Sequence, residues 1–143
     1  MEQRVSFITL GVDDLERARA FYVALGWRAS SYGEGLGVCF FQAGPMVFAL
    51  YPRKELAHDA GVADPGPVRP GGFSLAYNTR SREEVNAVMA EAEAAGATIL
   101  KPAFDIFWGG YVGYFADPDG NLWEITHNPK AIIGPNGEVS IPL

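Results

Sequence analysis

The apolar run Val5-Ser6-Phe7-Ile8-Thr9-Leu10, interrupted only by the hydroxyls of Ser6 and Thr9, predicts a strand. Asp13-Asp14-Leu15-Glu16 follows, with Asp13 placed as an N-cap and Glu16 three residues on, a variant of the capping box. Ala18, Phe21, Tyr22 and Leu25 then recur at helical spacing, and Gly26 can end that helix in the left-handed region. From Trp27 to Tyr51 short apolar runs alternate with turn residues (Gly33, Gly35, Gly37 and Gly44-Pro45), which predicts a three-stranded meander.

The same order then recurs. Phe73-Ser74-Leu75-Ala76-Tyr77 reads as a strand, and Ser81-Arg82-Glu83-Glu84 is a capping box. Val85, Val88, Met89 and Ala92 form one apolar helix face, closed by Gly96. Strand-like runs follow at Ala97–Leu100, Tyr111–Ala116 and Asn121–His127, with the turn Asp117-Pro118-Asp119-Gly120 between the last two. The hairpin Val38–Leu50 lines up with Val112–Ile125 if the second copy has one additional turn residue. The predicted organisation is one domain of fold class α+β made of two βαβββ repeats, 1–51 and 73–127. A Pro- and Gly-rich linker over 52–72 joins them, long enough for the units to pair within one chain or between chains. Residues 128–143 form a tail with an Asn136-Gly137 turn signal and the apolar run Val139-Ser140-Ile141, expected to be an ordered surface arm that could lie across a partner subunit.

Composition narrows the function classes. The chain of 143 residues carries a net charge of −6 and no Lys/Arg cluster, so nucleic acid and anionic membranes are not expected partners. No run approaches the ~20 apolar residues of a membrane span. Met1-Glu2-Gln3-Arg4 has no apolar signal core, so a cytoplasmic location is expected. The single cysteine, Cys39, sits in Val38-Cys39-Phe40-Phe41 and reads as a buried structural thiol.

Two segments carry a family resemblance. Gly11-Val12-Asp13-Asp14-Leu15 with Ala20-Phe21-Tyr22-Val23-Ala24-Leu25-Gly26-Trp27 resembles the opening of vicinal oxygen chelate proteins, the group containing glyoxalases, extradiol dioxygenases and bleomycin-resistance proteins. Phe115-Ala116-Asp117-Pro118-Asp119-Gly120-Asn121-Leu122-Trp123-Glu124-Ile125 resembles their closing signature. The resemblance implies a cup-shaped mixed sheet with helices outside and a homodimer. In catalytic members it implies up to four metal ligands, which fall here on Phe7, Ala49, Phe73 and Glu124. Three of those four positions offer no donor, and a divalent ion needs several N, O or S ligands to replace its hydration shell. The two histidines do not rescue the site: His58 lies in the linker, and His127 falls on the opposite strand face from Glu124. No metal or other cofactor is therefore expected, nor metal-dependent glyoxalase or dioxygenase chemistry.

If Phe7 and Phe73 line the cup, alternation brings Val5, Thr9, Leu75 and Tyr77 to the same face, with Val47, Ala49, Tyr51, Leu122, Glu124 and Thr126 from the later strands. Phe107-Trp108-Gly109-Gly110-Tyr111 is expected at the mouth, with Trp108 and Tyr111 as aromatic surface. Such a wall suits a small aromatic or amphipathic molecule. Bleomycin-resistance members of the family sequester a planar drug in this way. Aromatic residues on packed sheets are as readily core, and for Phe21 and Trp123 core is the expected role. Asp117 and Asp119 read as turn residues.

Glu124 interrupts an apolar strand, and a carboxylate buried there without partners would cost several kcal/mol. Three accounts fit it: a hydrogen bond to Tyr77 or Thr9, a cation or amine on a ligand, or a general base with a raised pKa. Two functions follow. One is a metal-independent binding protein; the alternative is a lyase, isomerase or dioxygenase-type enzyme using Glu124 as base or sole retained metal ligand.

Overall fold

The computed structural model describes residues 1–140. The chain divides into two compact units, residues 1–68 and the residues from Arg69 onward. No helix among the described residues is long and apolar enough to cross a membrane.

In the first unit the elements are β1 (Phe7–Val12), α1 (Leu15–Ala24), β2 (Cys39–Ala43), β3 (Met46–Pro52) and α2 (Arg53–Ala60). The sheet order is β1-β3-β2, with β1 parallel to β3 and β2 antiparallel to it. Leu10 pairs with Leu50 and Ile8 with Phe48, so these side chains share one face. Leu10, Val12, Phe41, Phe48 and Leu50 are buried together with Ala18, Phe21 and Tyr22 of α1. Tyr22 sits 4.9 Å from Phe48 and 5.4 Å from Trp27, ring centre to ring centre, which places α1 over this face. Cys39 is buried on the same face as Leu50, and burial pushes its thiol above the ordinary value, as a structural thiol requires.

Three local expectations are corrected here. The N-cap of α1 is Asp14, whose Oδ1 accepts from the Arg17 amide at 2.9 Å. Asp13 is instead paired with Arg53. The first strand of the expected meander shrinks to a single bridge, Ala29 to Phe41, followed by a 3₁₀ turn at Ser31–Gly33. Gly33 explains the break. A Cβ there would lie 2.4 Å from the Val38 carbonyl oxygen, so the chain doubles back where no side chain fits. The expected linker opens with a helix. In α2, Ala57 is buried, and Arg53, its side chain only 11% exposed, pairs with Asp13 and with Asp64. The chain is thereby tied to the β1–α1 turn as far as Asp64.

In the second unit the elements are β4 (Ser74–Asn78), α3 (Arg82–Ala95), β5 (Thr98–Asp105), β6 (Tyr111–Ala116), β7 (Leu122–His127) and a short hairpin of β8 (Ile132–Ile133) and β9 (Val139–Ser140). The sheet order β4-β7-β6-β5, with β4 parallel to β7, repeats the connectivity of the first unit with its meander complete. Ser81 caps α3, its Oγ accepting from the Glu84 amide, while Glu84 accepts from the Arg80 amide. Gly96 ends the helix at φ 109°. Leu75, Phe115, Trp123 and Ile125 are buried with Val85, Met89 and Ala92 of α3. Gly113 permits that packing: a Cβ on it would meet the Met89 sulfur at 2.9 Å. Phe21 and Trp123 are thus core residues; the Trp123 ring stacks on Phe115.

Asp117 closes the β6–β7 connection. Its buried carboxylate accepts from the amides of Asp119 and Asn121 and from the Asn121 side chain, and the Asp117 amide bonds to the Asn121 carbonyl. Residues 118–120 form the loop, one residue more than Gly44-Pro45 between β2 and β3. In the tail, Gly134–Gly137 turns the β8–β9 hairpin, and Arg80 donates to the Gly134 carbonyl at 2.7 Å. Ile141 lies outside the described residues.

Candidate functional site

Each sheet has one face away from its long helix. In the first unit that face carries Phe7, Thr9, Val47, Ala49, Tyr51 and Phe40, because Phe7 pairs with Val47, and Thr9 and Phe40 both pair with Ala49. Phe7 is 56% exposed and meets Phe40 edge to face at 6.2 Å. Phe40 in turn meets the exposed Tyr32 at 5.9 Å. Thr9 is exposed, and Ala49 is buried at the centre. Tyr51 is engaged elsewhere, its hydroxyl donating to Asp59 of α2 at 3.0 Å.

In the second unit the register corrects the expected wall. Ala76 pairs with Glu124, whereas Tyr77 pairs with Ile125 and Leu75 with Trp123. Glu124 therefore shares its face with Ser74, Ala76 and Asn78. Leu75 and Tyr77 lie on the α3 side, and Tyr77 cannot be the partner of Glu124. Phe73 precedes the strand. Since Thr9 pairs with Ala49 and Ala76 with Glu124, the position matching Phe7 is Ser74 rather than Phe73. Tyr111 also lies on the α3 side: its hydroxyl donates to Asn86 at 2.9 Å, and the Arg82 guanidinium sits 4.1 Å over its ring. Trp108 folds onto its own turn, its ring filling the space that a Cβ on Gly110 would take. His127 is on the α3 side as expected, its Nδ1 3.3 Å from the Thr79 carbonyl.

Sequence reasoning missed the actual partner of Glu124. Tyr114 pairs directly with it across β6 and β7, and the Tyr114 hydroxyl donates to Glu124 Oε2 at 3.0 Å. Burial, then the hydrogen bond to this carboxylate, pushes the Tyr114 phenol above the ordinary tyrosine value. The signal was present in the turn: with three residues in the loop, counting back from Asp117 and forward from Asn121 sets Tyr114 opposite Glu124. Beside this pair, two residues along the strands and on the same face, Thr126 faces Val112 and Asn78. Thr126 Oγ1 is buried without a hydrogen-bond partner. On that face Glu124 is flanked by Ala76 and Tyr114 across the strands and by Leu122 and Thr126 along its own, and the Tyr114 hydroxyl takes Oε2.

Each unit runs from a strand through a helix to an antiparallel strand pair whose last strand lies parallel to the first, and the last strand of the second unit presents one acid, Glu124. The chain belongs to the glyoxalase/bleomycin resistance protein/dioxygenase superfamily, whose family model matches residues 4–125. It is 39% identical to a glyoxalase-related enzyme from Fulvimarina pelagi, covering 99% of this chain and 100% of that one, with a TM-score of 0.88. A glyoxalase/bleomycin resistance protein/dioxygenase from Nocardioides is 25% identical, covering 89% and 84%, with a TM-score of 0.72. A lactoylglutathione lyase from Agrobacterium tumefaciens shares the fold at 23% identity, covering 90% and 96%, with a TM-score of 0.66. No curated protein matches.

The divalent metal of catalytic family members does not fit the donors present. In the first unit Phe7 and Ala49 offer no donor; in the second, taken separately, Ser74 offers only a neutral hydroxyl and Glu124 has one oxygen held by Tyr114. No group of three or more His, Cys, Asp or Glu residues able to hold a metal occurs among the described residues.

Proposed function

We propose that this chain, acting as a homodimer, binds a small organic molecule without a resident metal, and that Glu124 anchors a hydrogen-bond donor of that molecule. The observation that carries the proposal is the Tyr114–Glu124 hydrogen bond. It holds the carboxylate in one orientation through Oε2, and Oε1 is the oxygen the proposal assigns to the ligand. A charged acceptor fixed in a partly dry setting recognises a donor strongly. The first unit, by itself, carries an aromatic strip of Phe7, Phe40 and Tyr32.

A second reading is supported by the description of the 39% identical relative as a glyoxalase-related enzyme. In that reading Glu124 removes a proton from a bound substrate and Tyr114 keeps it aimed. A half-buried carboxylate within hydrogen-bond reach of a substrate C–H or O–H suits such a base.

Glu124→Gln tests the anchor. A thermal-shift screen of small organic molecules identifies ligands of the wild-type protein, and calorimetry compares each with the variant. The expected outcome is an unaltered fold with about 10-fold or greater weakening of donor-bearing ligands, the worth of a hydrogen bond to a charged group. Unchanged affinity for every ligand found would refute the anchoring role.

A further inference from the structure

The Glu124 face of the second sheet holds a cation that the family signature does not account for. β5 is the edge strand of its sheet, and its pairing with β6 slips twice, between Ile99 and Lys101 and between Lys101 and Phe104. Each slip is a bulge, and a bulge re-aims the side chains beyond it. Pro102, which has no amide to donate, sits between the two shifted pairs, where an edge strand tolerates it. As a result Lys101 pairs with Tyr114 and Phe104 with Val112. Lys101, Tyr114, Glu124 and Ala76 therefore form one row across the four strands, with Phe104, Val112, Thr126 and Asn78 as the next.

Lys101 is exposed and makes no ion pair among the described residues. Its Nζ lies 3.7 Å over the Phe104 ring, which holds the ammonium near the sheet. Two strand spacings, about 10 Å between backbones, separate it from Glu124, and Tyr114 stands between them. The buried, unpartnered Thr126 hydroxyl lies in the adjacent row, a second polar group on this face with no protein partner. A cation at one end and a hydrogen-bond acceptor at the other, with an aromatic ring beside the cation, select against both a purely apolar and a dicationic molecule.

We infer that this face takes a small organic anion that also carries a hydrogen-bond donor, its acidic group at Lys101 and its donor at Glu124 Oε1. The inference rests on the reading of Glu124 as an anchor and adds the charge of the ligand. Lys101 is then a specificity residue, and Tyr114 a positioning residue between the two ends.

The test is a ¹H–¹⁵N NMR titration with 4-hydroxyphenylacetate, phenylacetate and 4-hydroxyphenylacetamide on wild type, Lys101→Gln, Lys101→Arg and Glu124→Gln. Wild type is expected to bind 4-hydroxyphenylacetate saturably, shifting the amides of Lys101, Tyr114 and Ala76, and about tenfold tighter than either control. Lys101→Gln should abolish the preference for carboxylate over carboxamide, and Lys101→Arg should restore it. Glu124→Gln should abolish the preference for the hydroxylated acid. Equal binding of acid and amide, an unaffected Lys101→Gln, shifts confined to other residues, or no saturable binding would each overturn the inference. If the acid and amide bind equally but Glu124→Gln still weakens both, the anchoring role survives. If Glu124→Gln changes nothing, that role falls too.

Discussion

Tyr114→Phe removes one oxygen and leaves the ring, so its effect isolates the hydrogen bond to Glu124. A hydrogen bond to a charged group contributes about 1.5–3 kcal/mol when dry. Tyr114 and Glu124 are each half-buried, so solvent replaces part of it, and the expected loss is about 1 kcal/mol. For a chain of this length that lowers Tm by about 2–4 °C. The pH dependence gives a sharper check. The folded phenol is raised above the ordinary value, chiefly by burial and then by the bond to Glu124. Below the unfolded value of about 10 both states are protonated and the stabilisation is fully present. As pH rises from about 10 through the folded value, the unfolded state loses its proton first, and the stabilisation is lost. Tyr51, raised by its bond to Asp59, adds a parallel loss that is common to both proteins. Urea unfolding followed by circular dichroism from pH 7 to 11 should therefore show a wild-type advantage that is constant to about pH 9.5 and narrows above it. An advantage that is absent at pH 7, or that widens above pH 10, would refute the pairing.

Other consequences follow from single groups. Thr126→Val replaces the orphaned hydroxyl by a methyl of similar shape and should stabilise the fold by about 1 kcal/mol, read as a raised urea midpoint at unchanged slope. A destabilised variant would mean that the hydroxyl has a partner. Asp117→Ala strips several donors in the β6–β7 turn of their shared acceptor and should cost about 2–4 kcal/mol by the same assay. A cost below about 1 kcal/mol would show that the turn does not depend on its carboxylate.

Much of the fold was legible in the chain because it is written in local chemistry. The Ser81–Glu84 box, Gly26 and Gly96 at helix ends, and the Asp117–Gly120 turn each act within a few residues, and the structure has them where the pattern puts them. Asp13 and Asp14 are equally good caps by composition; the choice fell to Asp14 because Arg53, forty residues on, pairs with Asp13. The same distant arginine explains α2, which lacks a capping side chain and precedes a Pro- and Gly-rich stretch, so its sequence reads as linker. The site was less legible because strand register is a one-residue matter: a shift of one moves every side chain to the other face. Counting from Phe73 rather than Ser74 put Tyr77 beside Glu124, when the pairing across β6 and β7 gives Tyr114. Lys101 was beyond reach, since regular counting from Ile99 sets it opposite Gly113 and the register shift between Ile99 and Lys101 turns it to Tyr114.

The central claim, an anchoring carboxylate in a site without a resident metal, is tested most directly by native mass spectrometry of tag-free protein after gentle purification, read for the intact complex and for the dissociated chain. The account predicts a dimer with no stoichiometric divalent metal, and any organic adduct to be lost in Glu124→Gln. One divalent ion per chain, lost when Glu124 is changed, would contradict it and make Glu124 a metal ligand.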